Sequence, residues 1–339
     1  MMSELVILTG ANGHLGRTIA RQLTEEGKFV RGLVLPGEDT GFIKEIGVET
    51  VFGDVRDVES LRVLFAEIDG RRLIVIHAAG IIDITSHVPP QMRAVNVDGT
   101  KNMAELSLEY HADRFIYISS VHAIPEKPNR EQILETKIFS EDSVSGGYAK
   151  TKAEAAAYVM ECVEKRGLPA IVLHPSGIIG PGDNGNNHVV AVIKAYIEKR
   201  LPASIWAGYN LVDVRDVSQA VVAAIDKGRL GETYILSGHH GKLPNIFRAV
   251  NLITGDGPRI CPVVPIWLAA LVVPMMEKKV LREGKRPLFT KYALETLGSN
   301  DNFSYAKAGR ELGFCPRSIF ESIEGTVAWL ERERIDSAG

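Results

Sequence analysis

Short apolar segments alternate with longer amphipathic segments through the first half of the chain. Six segments rich in β-branched and aromatic residues are predicted as strands: Leu5–Thr9, Phe29–Leu35, Thr50–Phe52, Leu73–His77, Phe115–Ser119 and Ala170–Leu173. Most lack a regular in/out alternation, which is typical of strands covered on both faces. Helical periodicity lies between them, at His14–Glu26, Val58–Ala66, Gln91–Tyr110 and Ala149–Arg166. The alternation predicts an α/β fold with a Rossmann-type, doubly wound parallel sheet.

The pattern changes after Pro175, where loops containing glycine and proline separate the apolar segments. Helices are predicted there at His188–Arg200, Ser218–Gly228, Ser304–Leu312 and Ile319–Glu333. One apolar strand, Tyr234–Leu236, is expected to return to the sheet. We therefore predict a sheet domain of residues 1–175 plus about 208–237, and a smaller C-terminal α/β lobe of about 176–207 plus 238–335.

Composition is that of an ordinary globular protein and excludes several classes of partner. Of the 339 residues, 45% are hydrophobic and 24% charged, and the formal net charge of −3 gives no general attraction to nucleic acid or to an anionic membrane. Cys162, Cys261 and Cys315 stand far apart in the sequence, so we predict neither a disulfide framework nor a clustered metal site. The first residues show no signal-peptide pattern, so we expect a cytoplasmic protein.

One apolar run, Pro265–Met276, is longer than the others. It has about half of the roughly 20 residues that a membrane-spanning helix needs, so no membrane span is predicted. The run suits a core helix of the C-terminal lobe or a cover over a hydrophobic small molecule, and these two roles are compatible. It lacks the flanking basic amphipathic pattern expected of a helix on a membrane surface.

A glycine-rich turn, Thr9 to Gly16, follows the first predicted strand and opens the first predicted helix. Its glycines permit a tight turn, close approach of a pyrophosphate to the backbone and close helix packing, while the helix N-terminus favours negative charge. A purely structural turn is the alternative. The residues predicted to bind a dinucleotide here are Gly10, Asn12, Gly13, His14, Leu15 and Gly16.

Two further strand ends fit a dinucleotide lying across the sheet. Asp54 and Val55 follow the third strand, where a carboxylate would accept a hydrogen bond from the adenine amino group; a turn or cap is the alternative role for Asp54. Ala78, Ala79 and Gly80 follow the fourth strand, and their small size leaves room for the cofactor at the sheet edge.

The end of the second strand does not decide between NAD and NADP. An acid at that position binds the ribose 2′-hydroxyl of NAD, and an arginine nearby binds the 2′-phosphate of NADP. Here the position reads Val34–Leu35, and Leu35 is expected to contact the cofactor. Glu38 and Asp39 come slightly late, and Arg17 and Arg31 reach the ribose only if the loop folds back. The cofactor is therefore predicted as NAD or NADP.

Tyr148 and Lys152 stand four residues apart at the start of a predicted helix, so both side chains lie on one helix face. A free tyrosine has a pKa of about 10 and is a poor acid–base group at neutral pH. A neighbouring ammonium would lower that pKa toward neutrality and would also hold the nicotinamide ribose. We predict Tyr148 as the proton-transfer residue and Lys152 as its partner.

Two serines and two further polar residues complete the predicted site. Ser120 is expected to bind the substrate oxygen and stabilise developing alkoxide charge, with Ser119 closer to the cofactor. His122 is an expected substrate contact, although a surface histidine is the alternative. Asn96 is expected to bond backbone groups of the fourth and fifth strands, with an exposed polar residue as the alternative.

Taken together, these motifs resemble the extended short-chain dehydrogenase/reductase superfamily of the NAD-dependent epimerase/dehydratase type, over nearly the whole chain. The stretch Val75–Asp83 is similar to 3β-hydroxysteroid dehydrogenases. Residues 174–181, 211–217 and 307–314 are similar to dihydroflavonol-reductase-like and hopanoid-associated sugar-epimerase-like proteins. The resemblance implies a catalytic Ser120, Tyr148 and Lys152, and it places Pro175 and Ser176 along the nicotinamide.

The chain departs from the sugar-nucleotide epimerases of that superfamily. They commonly carry an asparagine where this chain has Gly177, and their basic diphosphate-binding residues are not obvious here, with Arg259, Arg282 and Arg286 as candidates. We therefore expect a small, largely apolar hydroxy or keto substrate that contacts Ile82 and His122. The alternatives are an epimerase or dehydratase that retains NAD, and a non-catalytic nucleotide sensor, which would not need an intact Ser-Tyr-Lys set.

A homodimer is also predicted. In the superfamily that the chain resembles, helices corresponding to Gln91–Tyr110 and Ala149–Arg166 commonly pack against their symmetry mates. Small side chains in the second helix would permit close approach, and two-fold symmetry is the commonest oligomeric arrangement. These small residues are Ala153, Ala155, Ala156 and Ala157. Packing of the same alanines against the chain's own sheet is the alternative.

Overall fold

The structure is a computed structural model that describes residues 4–68, 70–83, 88–183, 187–201, 203–255, 262–283 and 287–336. The strands are β1 (Glu4–Thr9), β2 (Phe29–Val34), β3 (Glu49–Phe52), β4 (Arg72–His77), β5 (Arg114–Ile118), β6 (Ala170–Pro175), β7 (Gly177–Ile179), β8 (Ser204–Ile205), β9 (Gly208–Asp213), β10 (Glu232–Leu236), β11 (His239–Lys242) and β12 (Val263–Val264). The α-helices are α1 (His14–Glu25), α2 (Gly41–Glu45), α3 (Val58–Arg62), α4 (Pro90–Arg93), α5 (Gly99–Glu109), α6 (Gly147–Arg166), α7 (His188–Ile197), α8 (Val214–Lys227), α9 (Leu243–Thr254), α10 (Ile266–Arg282), α11 (Lys291–Gly298), α12 (Ala306–Leu312) and α13 (Ile319–Asp336).

Seven parallel strands form the central sheet, in the order β10-β6-β5-β4-β1-β2-β3. The chain runs outward from β1 in one direction through β2 and β3, then returns to the other side of β1 with β4. This reversal creates a switch point beside the carboxyl end of β1, which is where open α/β sheets bind ligands. The predicted doubly wound sheet is confirmed, and its strand ends differ from the prediction by at most two residues.

Both faces of the sheet are covered, which explains the uniformly apolar strands. In β1, Leu5 and Ile7 pack into the layer that contains α5 and α6. Their neighbours Val6 and Leu8 point the other way, into the layer that contains α1 and α8. All four side chains are fully buried, so no position in this strand has to be polar.

The alanines of α6 are mostly internal. Ala153, Ala155 and Ala156 are completely buried in the layer against the chain's own sheet, and Ala157 is half-buried. The alternative given for these residues is therefore correct for three of the four. The homodimer itself stays a prediction, but these three side chains do not supply its surface.

The C-terminal part adds two small sheets and a third apolar core. One sheet has the order β11-β9-β7 and the other pairs β8 with β12, while α7, α9, α11 and α13 contribute to the core. Helix α8 begins four residues before its predicted start because the Asp213 carboxylate accepts a hydrogen bond from the backbone of Arg215 and caps the helix. The predicted boundaries between the two units stay a prediction.

The apolar run forms the first part of α10, a helix that continues to Arg282. Ala269 and Val273 are buried, but most of its other large apolar side chains are exposed, so the core-helix interpretation holds only for the inner face. Within the described residues, no helix is long and apolar enough to cross a membrane, and no cluster of three His, Cys, Asp or Glu residues suits a metal ion. Cys261 lies outside the described residues.

Candidate active site

The turn between β1 and α1 is closed so tightly that two of its glycines have no room for a side chain. Gly10 has a φ of +68°, and a Cβ atom there would lie 2.8 Å from the backbone nitrogen of Ala79. A Cβ atom on Gly16 would lie 1.9 Å from the carbonyl oxygen of Gly10. A Cβ atom on Gly13 would meet that oxygen at 3.3 Å. The fold itself therefore requires Gly10 and Gly16, whereas Gly13 retains some space at the start of the helix.

The loop after β2 folds back onto this turn. The Asn12 amide donates hydrogen bonds to the Glu38 carboxylate (3.1 Å) and to the carbonyl of Asp39 (2.9 Å). Its oxygen accepts from the Arg17 guanidinium at 2.8 Å. Arg31 is buried elsewhere, where it donates to Glu49 and to backbone carbonyls. Of the two arginines considered for the cofactor ribose, only Arg17 therefore lies at the dinucleotide turn.

His14 connects the dinucleotide turn to the C-terminal part of the chain. Its Nε2 atom is 3.0 Å from the carbonyl of Pro181, and its Nδ1 atom is 3.0 Å from the side-chain amide of Asn187, which caps α7. Burial lowers the pKa of His14. Leu15 packs against the layer beneath the turn, and Leu35 is about half exposed at the end of β2. Cofactor contacts through these three residues stay a prediction.

The residues that follow β3 and β4 differ in the contacts that they already make within the chain. The Asp54 carboxylate forms an ion pair with Arg56 at 2.6 Å, and the hydrogen bond from Arg56 lowers the pKa of Asp54. Val55 is buried, and a Cβ atom on Gly99 would lie 2.6 Å from its side chain. The backbone of Ala79 touches the turn and donates to the Thr9 hydroxyl at 3.2 Å, so the end of β4 lies directly beside the glycines.

Asn96 holds the loop after β4 against helix α6. It is fully buried in a π-helical segment, Ala94–Asp98, and its oxygen accepts a hydrogen bond from the backbone of Ile81 at 2.8 Å. Its amide donates to the Ile81 carbonyl and to the Thr151 hydroxyl, and that hydroxyl donates to the carbonyl of Tyr148. The expected bond to the fifth strand is not made by Asn96, because this side chain is fully engaged with Ile81 and Thr151.

Tyr148 lies in the first turn of α6 and is buried. Burial raises the pKa of its phenol, a hydrogen bond with Ser120 opposes this rise, and the nearby Tyr292 adds to it. Gly146, just before the helix, has a φ of +94°, and a Cβ atom there would lie 2.0 Å from the Tyr292 ring. The phenol, which is protonated at neutral pH even at its ordinary pKa, is thus made a still weaker acid by burial.

Lys152 lies one helical turn further along, but its amino group is directed at the sheet. Its Nζ atom donates to the carbonyl of Ile118 at 2.9 Å and lies 5.1 Å from the centre of the Tyr117 ring. Burial lowers the pKa of Lys152 to about 7. The expected lowering of the Tyr148 pKa by Lys152 is therefore absent from this arrangement, because the ammonium is itself destabilised by burial.

Ser119 and Ser120 follow β5, and both are buried. The backbone nitrogen of Ser119 continues the sheet pairing through a 2.8 Å bond to Leu173. The Ser120 hydroxyl caps a short 3₁₀ turn by accepting from the backbone of His122 at 3.2 Å. The structure therefore brings Ser120, Tyr148 and Lys152 to one sheet edge, as predicted for the catalytic set.

Aromatic rings line one side of the Tyr148 phenol. The His122 ring stacks on Tyr209 with centroids 5.6 Å apart, meets Tyr148 edge-on at 5.9 Å and is tilted against Tyr292 at 6.4 Å. Burial lowers the pKa of His122 to about 4, so the ring is neutral at neutral pH. The sequence analysis missed Tyr209 and Tyr292, because β9 and α11 approach the site only in the folded chain.

The end of β6 lies beside the catalytic set, on the side of β5 that faces away from the cofactor turn. Ser176 donates its backbone N–H to Leu236, and its buried hydroxyl has no partner among the described residues. His174, which was also missed, bonds the carbonyl of Ser120 through Nδ1 at 3.0 Å. Ile82 is 64% exposed in the loop after β4. Pro175 pairs with Leu236 at the sheet edge, as the last residue of β6.

These features fit a nicotinamide dinucleotide. The glycine turn at the switch point leaves no room for side chains, and α1 begins directly after it. Farther along the same edge of the sheet, the buried hydroxyl of Ser176 has no partner among the described residues. Such a turn suits a pyrophosphate, because backbone N–H groups and the helix dipole both favour negative charge. Of the basic residues considered for a second diphosphate, Arg282 is exposed on α10, and Arg259 and Arg286 lie outside the described residues.

Comparison with known proteins agrees with this geometry. Residues 6–237 match the family described as NAD dependent epimerase/dehydratase. "Sterol demethylase protein B" of Methylococcus capsulatus is 29% identical over 332 residues, covering 97% of this chain and 98% of that protein. A 3-beta-hydroxysteroid dehydrogenase of Mycolicibacterium neoaurum is 26% identical, covering 92% and 87%. The crystal structure of gox2253 matches with a TM-score of 0.83 and 30% identity, covering 98% of this chain and 99% of that one.

The family match confirms the resemblance inferred from the motifs, and it spans the dinucleotide turn, the catalytic set and the whole central sheet. Proteins of this kind are NAD(P)-dependent enzymes that act on alcohol and carbonyl groups. The roles predicted for individual residues are not tested by the comparison. The chain belongs to the NAD dependent epimerase/dehydratase family.

Proposed function

We propose that the protein catalyses reversible oxidation of a hydroxyl group to a carbonyl group on a small substrate with a largely apolar body. The observation that carries this proposal is the neutral aromatic wall beside Tyr148, formed by His122, Tyr209 and Tyr292. A diphosphate would need cations at this wall, whereas flat apolar rings suit stacked aromatic side chains. The sterol and steroid names of two relatives support the same substrate class.

In the proposed mechanism, Tyr148 moves the proton and Ser120 orients the oxygen. In the reducing direction the buried, protonated phenol donates its proton to the carbonyl oxygen; in the oxidising direction Tyr148 must first lose that proton before it can accept the proton of the hydroxyl group. When bound, NAD(P) supplies or accepts the hydride. Ser120 bonds the reacting oxygen, and Lys152, with a pKa of about 7, is poised to gain or lose a proton near neutral pH.

We further propose NAD as the preferred cofactor. The Glu38 carboxylate is held at the dinucleotide turn by Asn12, where it would accept a hydrogen bond from a ribose 2′-hydroxyl. It would repel the 2′-phosphate of NADP. Arg17 is less available to that phosphate, because its guanidinium donates to Asn12 and stacks over Phe42 at 5.2 Å.

The test is a screen of NAD and NADP against 3-hydroxysteroids, aromatic ketones and aldehydes, and sugar nucleotides, followed by the absorbance of reduced nicotinamide. We expect net reduction or oxidation with an apolar substrate. Tyr148→Phe should lower kcat by at least about 10²-fold, while Tyr110→Phe, a tyrosine stacked on Phe65 away from the site, should retain activity. Conversion of a sugar nucleotide without a net absorbance change, or full activity of Tyr148→Phe, would contradict the proposal.

A further inference from the structure

Helix α10 exposes an apolar face to solvent. Packing in the C-terminal part of the chain does not account for this face, because its side chains are not buried there. Trp267, Leu271 and Met275 are 65%, 66% and 75% exposed, and Leu268, Val272 and Met276 on the adjoining flank are also exposed. No residue from Ile266 to Met276 is ionisable. The combined exposed area is on the order of several hundred Å², as large as the largest patch on a typical monomer and of the kind that marks an interaction surface.

The same side of the helix becomes basic over its last two turns. Successive residues of an α-helix are separated by 100°, so Trp267, Leu271, Met275, Lys278 and Arg282, spaced by three or four residues, form one stripe along α10. Lys278 and Arg282 are exposed. The expectation that the apolar run lacks a flanking basic amphipathic pattern is therefore wrong, because Lys278 and Arg282 follow the run and join its outward side in a helix that continues to Arg282.

Two acidic residues lie in or next to this segment: Glu283 is exposed and directly follows Arg282, whereas Glu277 lies on the side of α10 opposite the stripe. Glu277 is half-buried, and its carboxylate accepts a hydrogen bond from the backbone of Lys291 at 3.1 Å, at the start of α11. Lys279 is exposed on the flank of the stripe. The outward side of α10 therefore combines apolar side chains with neighbouring cations, although the chain as a whole has a net charge of −3.

We propose that this face of α10 docks the protein on an anionic lipid bilayer. Trp267, Leu271 and Met275 would enter the interface between headgroups and acyl chains, as the apolar side of an interfacial helix does. Lys278 and Arg282 have long aliphatic stems that reach the headgroups from the same side, where negative lipids attract them. A lipid surface satisfies both halves of the stripe at once, whereas an antiparallel second copy would set the cations of each helix against the apolar half of the other.

The location of α10 relates the proposed docking to the active site. The helix packs against α11, where the Ile266 side chain approaches Gly298, and α11 carries Tyr292 to the aromatic wall of the active site. A docked enzyme would therefore hold this wall close to the lipid phase, in which an apolar substrate is concentrated. This purpose rests on the proposed function, but the docking itself does not, because lipid binding is measurable without substrate.

The test is co-sedimentation of the full-length protein with phosphatidylcholine vesicles, with and without about one-third phosphatidylglycerol. The double variant Leu271→Ser/Met275→Ser removes two apolar side chains from the centre of the face. It should weaken partition into the mixed vesicles by at least about tenfold, because each buried side chain of this size contributes strongly to transfer from water. Ile138→Ser is the matched control, since Ile138 is 83% exposed in a loop outside α10, and it should bind like the wild type.

The basic half is tested by Lys278→Gln/Arg282→Gln, which should weaken binding to the anionic vesicles and leave any binding to phosphatidylcholine alone unchanged. All variants should keep the wild-type far-ultraviolet circular dichroism spectrum and Tm, because each substituted side chain is exposed. Equal sedimentation of the wild type and the Leu271→Ser/Met275→Ser variant overturns the proposal, as does the absence of vesicle binding by the wild type. A wild-type dimer that this variant converts to a monomer would assign the face to a second copy instead.

Discussion

Burial of Lys152 provides a quantitative test of the active-site electrostatics. The side chain is 5% exposed, and burial lowers its pKa to about 7 from an ordinary value of 10.5. Between these two pH values the unfolded chain binds more protons at this position than the folded chain does. The contribution of Lys152 to the free energy of unfolding therefore rises with pH from about 7 to about 10.5. A shift of this size corresponds to about 5 kcal/mol over the whole window.

Lys152→Met keeps the length of the side chain and removes the titrating group. The variant also loses the hydrogen bond to Ile118, at a pH-independent cost of about 1 kcal/mol. We expect Lys152→Met to be more stable than the wild type at pH 7, and the difference to shrink by about 3 kcal/mol by pH 10. Activity should be strongly reduced at every pH, because the proposed partner of Tyr148 is absent.

Urea unfolding of both proteins, followed by tryptophan fluorescence at several pH values from 7 to 10, measures this difference directly. Lys150→Met is the matched control, since Lys150 is an exposed lysine in the same helix and its removal should produce no comparable pH dependence. A difference between Lys152→Met and the wild type that stays constant over this pH range would refute the reasoning. It would mean that the ammonium of Lys152 is solvated or paired in the folded protein.

Three further predictions concern the cofactor and the assembly. Gly13→Val should weaken NAD binding in fluorescence titration while the protein stays folded, and an unchanged NAD affinity of the folded variant would contradict the predicted role of Gly13. Gly16→Ala should instead lower Tm, because its Cβ would collide with the Gly10 carbonyl. Glu38→Ala should raise kcat/KM for NADP relative to NAD by about tenfold or more, which is the scale of one charged hydrogen bond. An unchanged ratio would show that Glu38 does not determine the cofactor preference. Light scattering at micromolar concentration should give about twice 37.1 kDa for the homodimer, and a mass near 37.1 kDa would exclude it.

The sheet and the dinucleotide turn were predictable because their signals are local. Leu5 to Leu8 are apolar at every position because alternate side chains enter two different cores, and that requirement is visible in the sequence without knowledge of the partners. The need for glycine at positions 10 and 16 is also visible in the sequence. The positive φ of Gly10 and the close backbone contact of Gly16 exclude most other residues. Tyr148 and Lys152 were found because their spacing places both on one helix face.

The electrostatics of the site were less predictable. The sequence places an ammonium near a phenol, but the sign of the pKa shifts depends on how much water the fold removes. Burial raises the pKa of Tyr148 and lowers that of Lys152, and Lys152 is held by a sheet carbonyl. The position of Glu38 was also hidden, because it depends on the path of a loop that Asn12 fixes through two hydrogen bonds.

The predicted proton-transfer residue and part of the aromatic wall lie in different parts of the chain. Ser120 and Tyr148 lie at the carboxyl edge of the central sheet, within the residues that match the family. Tyr292 lies on α11, beyond the matched segment, and Tyr209 lies on a strand of the second sheet. Changes in these outer elements can alter the aromatic wall beside Tyr148 while the predicted proton-transfer residue stays in place. A family match therefore supports the reaction more strongly than it supports the substrate, and the substrate must be argued from the rings around Tyr148 themselves.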